Sequence, residues 1–168
     1  MKIHLLLLLA IILTGCAKEV EQMGELKLTS AAFENDAEMP SRYTCQGENV
    51  NPGLEISGIP EKAKSLALIV DDPDAPMGTW VHWVVWNIKP ADRIKENSVP
   101  GEQGINDFGK HDYGGPCPPS GTHRYFFKLY ALDTELSLPG SSKKSDVEKA
   151  MKGHVLAQTQ LIGLYKKR

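Results

Sequence analysis

The rhythm of apolar and polar positions changes several times along this chain. Leu26 to Phe33 alternates apolar with polar residues, the mark of a strand with one buried face. Ser65 to Val70 and Val81 to Ile88 are almost continuously apolar, and Arg124 to Leu132 is a third such run. Short runs rich in β-branched and aromatic residues predict central strands covered on both faces. Gly, Pro and Asn clusters at 47–53, 58–60 and 114–121 punctuate them, the pattern of an all-β sandwich. The clearest helical signal is late. Ser145-Asp146-Val147-Glu148 has the capping-box form, and Val147, Ala150 and Met151 share one helical face. Gly153 then breaks the helix before a second helical turn, predicted from His154 to Leu161.

The first residues read as a leader. Lys2 precedes an apolar run from Leu5 to Leu13, too short to span a bilayer as a helix, and Leu13-Thr14-Gly15-Cys16 follows it. Small residues directly before a cysteine predict a lipoprotein signal peptide over 1–15 with Cys16 lipidated; an ordinary secretory signal is the competing reading. Residues 16–24 then form a lipidated cysteine and flexible tether, and 25–168 a single domain of a size that buries most of its apolar surface. The expected location is extracytoplasmic, anchored by lipid to a membrane of the cell envelope.

Charge narrows the partners. The net charge is −2, and removing the leader with its one lysine makes it −3. No basic stripe follows a phosphate backbone, so nucleic acid is not an expected partner, and Lys166-Lys167-Arg168 reads as a solvated end. Nothing in the chain calls for a cofactor.

Two distant segments carry one chemical inventory. Asp71-Asp72-Pro73-Asp74-Ala75-Pro76 leads into His82-Trp83, and Tyr113-Gly114-Gly115-Pro116-Cys117 leads through Pro118-Pro119-Ser120-Gly121-Thr122 into His123-Arg124-Tyr125. Prolines that fix φ beside apolar strands hold polar groups with little entropy left to lose on binding. These strings, with Tyr43 to Pro60, resemble the phosphatidylethanolamine-binding protein family in its bacterial and archaeal, Raf kinase inhibitor-like branch. The resemblance runs from about Leu26 to the C-terminus. It implies a β-sandwich of one large and one smaller sheet with short C-terminal helices, and a cis Ala75-Pro76 bond. It also implies a ligand pocket formed by Asp72, Asp74, His82, His123 and Tyr125, with Gly115 and Pro116 in its wall.

Such a pocket suits a small anionic or zwitterionic phosphate ligand. Imidazoles and a phenol donate to phosphate oxygens, while the carboxylates fit an ammonium. The expected division places phosphate on His82, His123 and Tyr125 and ammonium on Asp72 or Asp74. Tyr113, Tyr130 and Tyr165 are assigned to packing, His111 and Asp112 to the polar surface, and His154 to a helix with a backbone partner. With Cys16 lipidated, Cys45 and Cys117 remain as a disulfide in an oxidising compartment, or as two buried thiols.

Enzyme readings compete. Asp and His together could hold a metal for hydrolysis, yet no dense ligand motif appears. Ser120 lies outside any G-x-S-x-G, and nothing in the sequence supplies a buried acid to orient His123 as its base. The expected function is therefore non-catalytic binding of a phosphoethanolamine-type head group, regulatory in character. Inhibition of an envelope serine protease is the alternative.

Overall fold

The computed structural model describes residues 25–168. The leader, Cys16 and tether expected in 1–24 lie outside them. Nine strands and one α-helix follow in order: β1 Lys27–Thr29, β2 Ala37–Glu38, β3 Leu54–Ser57, β4 Ser65–Asp72, β5 Trp80–Ile88, β6 Arg93–Ile94, β7 Glu102–Gln103, β8 Thr122–Leu132, α1 Lys144–Met151 and β9 Val155–Lys166. A six-stranded sheet has the order β2-β9-β8-β4-β5-β7, and a three-stranded sheet the order β1-β3-β6. The expected pairing of a large sheet with a smaller one is present, and both sheets are open.

Residue parity explains the two packed layers. Leu66, Leu68 and Val70 of β4 face inward with Tyr125, Phe127 and Leu129 of β8, meeting Leu28, Leu54 and Ile56 of the small sheet. Ala67 and Ile69 face the other way, onto Val147 and Met151 of α1 and onto Leu136. Both faces of β4 are thus covered, which is why its sequence is an unbroken apolar run.

Two irregularities in β5 redirect its side chains. Val70 pairs with Trp83 but Asp71 pairs with Val81, leaving His82 as an extra residue in the strand. A bulge of this kind re-aims a side chain. Without it, alternation would place His82 with Val84 and Trp86 against α1; with it, His82 turns to the inner side. The second irregularity lies near Asn87, whose φ is 52°. Its side chain is satisfied by Leu136, accepting from that residue's N–H at 2.8 Å and donating to its carbonyl at 3.0 Å.

Four expectations are corrected. Residues 154–161 are not helical: Val155 opens the twelve-residue β9, which pairs along the whole of β8. The α-helix is therefore the one such element among the described residues, and it begins earlier than expected. Lys143 occupies the cap, with its N–H donating to the Asp146 carboxylate at 2.9 Å, so Ser145 lies inside the helix. Every described peptide bond is trans, Ala75-Pro76 included. His154 also departs from its assignment. It follows the helix, and its ring bonds the Asp133 carboxylate at 2.8 Å rather than only backbone. Tyr113 and Tyr165 are buried packing residues, Tyr130 is half-buried, and His111 and Asp112 are exposed.

Candidate functional site

A cavity of about 210 Å³ opens where the C-terminal end of β4, the start of β5 and the start of β8 meet. It is lined by Asp72 at the end of β4, by Ala75 and Pro76 in the turn that follows, and by Trp80 and His82 of β5. Phe108, Cys117, Pro118 and Pro119 come from loops, and Tyr125 from β8. Larger clefts lie elsewhere, around Glu38 and Arg168 and around Asp92 and Arg93. Their charged groups are exposed and paired, so neither concentrates buried chemistry.

Each polar group has a definite state. His82 is 3% exposed, and its Nδ1 donates to the Gly114 carbonyl at 2.5 Å. A carbonyl can only accept, so this contact puts the proton on Nδ1 and leaves Nε2 as an acceptor in the neutral ring. Burial holds the His82 pKa below the usual imidazole value, against the opposing pull of the Gly114 bond and the charge of Asp72. The ring packs edge-on against Phe108 and Tyr125, with centroids 5.3 and 5.2 Å away.

Asp72 is buried and doubly engaged. One carboxylate oxygen accepts the His123 Nδ1–H at 2.7 Å, and the other accepts the Asp74 N–H at 2.8 Å. His123 is itself buried behind this contact. The acid that the sequence did not supply for His123 is therefore Asp72. No serine hydroxyl completes a triad, since Ser120 is exposed and forms no bond to His123 among the described residues. Among those residues no cluster of three metal-ligating side chains exists either.

Tyr125 is wholly buried, and its hydroxyl makes no well-aligned hydrogen bond among the described residues, although the Asp72 carboxylate and the Cys117 backbone lie near it. Burial first, and the neighbouring Asp72 charge second, hold its pKa far above the ordinary phenol range. A buried O–H without a partner carries a desolvation cost of about 1–3 kcal/mol. Here it is set in a cavity wall, where an incoming acceptor would relieve that cost.

Asp74 stands apart. Arg124 donates to it through Nε at 2.9 Å, Nη2 at 2.7 Å and its backbone N–H at 3.0 Å. This guanidinium holds the Asp74 pKa at about 2. Arg124 alternates with His123 and Tyr125 along β8 and so projects from the opposite face of the strand. Asp74 is not among the cavity-lining residues.

The loop walls are pinned. A Cys45–Cys117 disulfide with Cα atoms 5.4 Å apart joins the turn before β3 to the wall before β8. Gly115 donates its N–H to Asn49 Oδ1 at 2.8 Å, and a Cβ at Gly115 would meet Asn49 and the Tyr43 carbonyl. The Pro116 carbonyl accepts from the Cys45 N–H at 3.1 Å. Gly115 and Pro116 thus stitch the wall from behind, outside the cavity-lining set. Asn106 organises the facing loop: its Oδ1 accepts from the Phe108 and Lys110 N–H groups, and its Nδ2 donates to the carbonyls of His82 and Asp112.

Of the residues expected at the site, the cavity gathers Asp72, His82 and Tyr125; His123 stands behind Asp72, Gly115 and Pro116 behind the wall, and Asp74 faces away. The expectation missed Trp80, Phe108 and Arg124. A lone aromatic within Asn106-Asp107-Phe108-Gly109 is the signal that could have found Phe108.

Comparison with known proteins adds an independent line. A family model described as phosphatidylethanolamine-binding protein matches residues 29–166. A UPF0098 protein of Methanothermobacter thermautotrophicus is 53% identical over 150 residues, spanning 84% of this chain and 99% of that protein. One of Pyrococcus horikoshii is 49% identical over 173 residues, spanning 95% and 86% respectively. The solved structure of a phosphatidylethanolamine-binding protein homologue of Chlamydia trachomatis superposes with a TM-score of 0.83 at 41% identity, covering 86% of this chain and 99% of that one. Escherichia coli YbcL, described as a new member of the mammalian family, gives a TM-score of 0.80 at 30% identity, covering 86% of this chain and all of that one, 100%.

Proposed function

This chain belongs to the phosphatidylethanolamine-binding protein family, and from that premise we propose that it is a non-catalytic binding protein whose cavity takes a small phosphate ester of the head-group type. The observation that carries this reading is the Tyr125 hydroxyl, buried in the cavity wall with no well-aligned hydrogen bond among the described residues. A phosphate oxygen accepts its proton. His82 takes the complementary role. Its neutral Nε2 accepts from a protonated phosphate oxygen, because the ring resists charging while a phosphate monoester carries its second proton up to about pH 6. The ligand is therefore bound as its monoanion, and affinity rises as pH falls toward about 6. His123 acts through Asp72, holding that carboxylate away from the phosphate.

The role is regulatory, with the ligand or a bound protein as its signal. The apolar run of Leu5–Leu13 ahead of Cys16 supports a tethered, extracytoplasmic domain. Cys16→Ser should move the protein from the detergent to the aqueous phase, and equal partitioning of both forms would reject the anchor.

Calorimetry with ethyl phosphate tests the cavity. Tyr125→Phe should weaken binding by about tenfold, one charge-assisted hydrogen bond, while stabilising the unliganded protein by about 1 kcal/mol through removal of an unsatisfied hydroxyl. No binding of the ester by the unmodified chain would discard the reading.

A further inference from the structure

A strand edge with unpaired backbone N–H and C=O groups is a template for another strand, and proteins usually cover, shorten or charge it. On one side of the large sheet, β5 is covered beyond β7. The Gly104 and Asp107 N–H groups donate to the Val84 and Val81 carbonyls at 3.0 and 2.9 Å, and the Gly114 N–H donates to the His82 carbonyl at 3.0 Å. On the other side, β2 meets β9 only at Gly163 and Leu164. Cover then extends to Ile162: the Asp36 N–H donates to its carbonyl at 2.8 Å, and Asn35 Oδ1 accepts its N–H at 2.9 Å. Val155 to Gln160 has no backbone partner on that side among the described residues.

The direction of the open groups follows from Ile162. It turns both backbone groups away from β8, and in an antiparallel ladder alternate residues do the same, so Gln160 and Gln158 present N–H and C=O to the open side. Leu156 is the extra residue of a bulge, since Ala131 pairs with Ala157 and Leu132 with Val155, and the regular edge ends there. The gap thus holds two outward-facing residues, closed at one end by Asn35 and bent at the other. It lacks the usual guards. From Val155 to Tyr165 the strand has no charged residue and no proline, Val155 and Leu156 are 41% and 39% exposed, and Gln158 and Gln160 are exposed as well.

We propose that this edge seats a second copy of the chain, β9 pairing antiparallel with β9 across a two-fold axis at Thr159. The gap is complementary to itself. An antiparallel copy places Gln158 opposite Gln160 and Gln160 opposite Gln158, and each of these pairs exchanges two backbone hydrogen bonds. Thr159 then faces Thr159, a favourable cross-strand pair, with Gln–Gln contacts to either side and no like charges in the seam. The obstruction is matched too. In this register the bulge at Leu156 of one copy falls opposite Ile162 of the other, where Asn35 closes the edge, so the incoming strand bends where a straight one would collide. The two six-stranded sheets become one continuous sheet. Each copy keeps its own cavity, which lies toward the other end of the β8–β9 ladder, where Tyr125 pairs with Gly163.

Sedimentation velocity of the full chain in density-matched detergent reads the assembly state. The unmodified chain should be a dimer at about 50 μM and dissociate on dilution, as a small polar interface does. Gln158→Lys/Gln160→Lys and Gln158→Glu/Gln160→Glu each set like charges opposite one another twice and should weaken association by at least about tenfold. An equimolar mixture of these two variants should recover the dimer. Gln158→Glu/Gln160→Lys, whose charges meet as opposites in this register, should remain a dimer alone. Thermal melts verify that each variant folds. Thr159→Cys gives a second measurement that no charge disturbs: opposed residues of such a pair have Cα atoms about 4.5 Å apart, within disulfide reach, so mild oxidation should yield a reducible dimer that the unmodified chain lacks. A monomeric unmodified chain overturns the proposal, whether the edge then proves to take residues 1–24 or a strand of another protein. A dimer indifferent to the like-charged variants, a mixture that stays monomeric, or the absence of the Thr159→Cys cross-link overturns it equally, by placing the contact on another face or in another register.

Discussion

Asp71 and Asp72 are neighbours on one strand, both buried, and they live in opposite worlds. Asp71 points toward α1 and sits between two permanent cations: Lys144 Nζ is 2.5 Å from Oδ2, and Lys128 Nζ donates to Oδ2 at 2.9 Å while lying off-axis, 2.8 Å from Oδ1. Asp72 points toward the cavity and leans on a histidine and a backbone N–H. One charge is closed off by fixed partners and packing. The other is held by a titratable ring beside open space. Burial of a carboxylate therefore does not mark a site by itself; the mark is burial combined with partners that can change their protonation or be joined by a ligand.

This comparison can be broken or sharpened by experiment, beginning with what braces the cavity side. The cavity wall depends on a covalent tie between residues 72 positions apart, whereas the Asp71 side has helix and ion pairs. Replacing both cysteines, Cys45→Ser/Cys117→Ser, should lower stability by about 4 kcal/mol in urea unfolding and weaken ester binding, as expected for a long closed loop. Unchanged binding would show that the wall stands without its tie.

Asp71→Ala comes next. It strands two lysines and should cost about 3 kcal/mol, the low end for breaking a buried pair because both Nζ groups keep partial contact with water. Ester affinity should stay within about twofold. A large loss of binding would show that the two aspartates act as one unit.

The smallest effect concerns His82. Its pKa is lowered in the folded state, so below about pH 6.5 the unfolded chain takes up a proton that the native ring refuses. Stability should therefore fall as pH drops from about 6.5, by at most about 1.4 kcal/mol per pH unit, until the folded ring also charges. His82→Asn should flatten that slope in denaturant titrations between pH 5 and 7. Identical slopes for both proteins would assign the acid sensitivity to another group.

The sequence disclosed the parts of the fold that period and composition control. β4 and β5 were legible because burial on both faces leaves no polar alternation to disguise them, and β8 because its buried positions alternate with more exposed ones. β9 was not, for its first half, Val155 to Gln160, is largely exposed, and only Leu161 and Tyr165 among its side chains are buried, four positions apart with Gly163 between them. His82 was identified through family resemblance, but its direction depends on a bulge that no periodicity encodes. The Asp72–His123 contact spans 51 positions and exists because β4 and β8 are neighbours in the sheet, a pairing that local pattern does not specify. Arg124 was hidden for a related reason: beside two site residues, it looked like the solvent-facing alternate, and its bond to Asp74 appears only when the turn after β4 is folded back.

The parallel seating of β2 on β9 has a consequence for how the molecule is made. Ala37 and Glu38 pair with Gly163 and Leu164, so a strand near the start of the domain has its partner in the final residues. Gly163 leaves room for Met39, whose side chain would collide with any Cβ there. During synthesis β2 must wait, unpaired, until β9 has been made. Such distant pairing slows assembly and leaves an open sheet edge in the meantime. A nascent chain of this architecture completes its large sheet only once β9 is made, and loss of Gly163 and Leu164 would release β2 along with that end of β9.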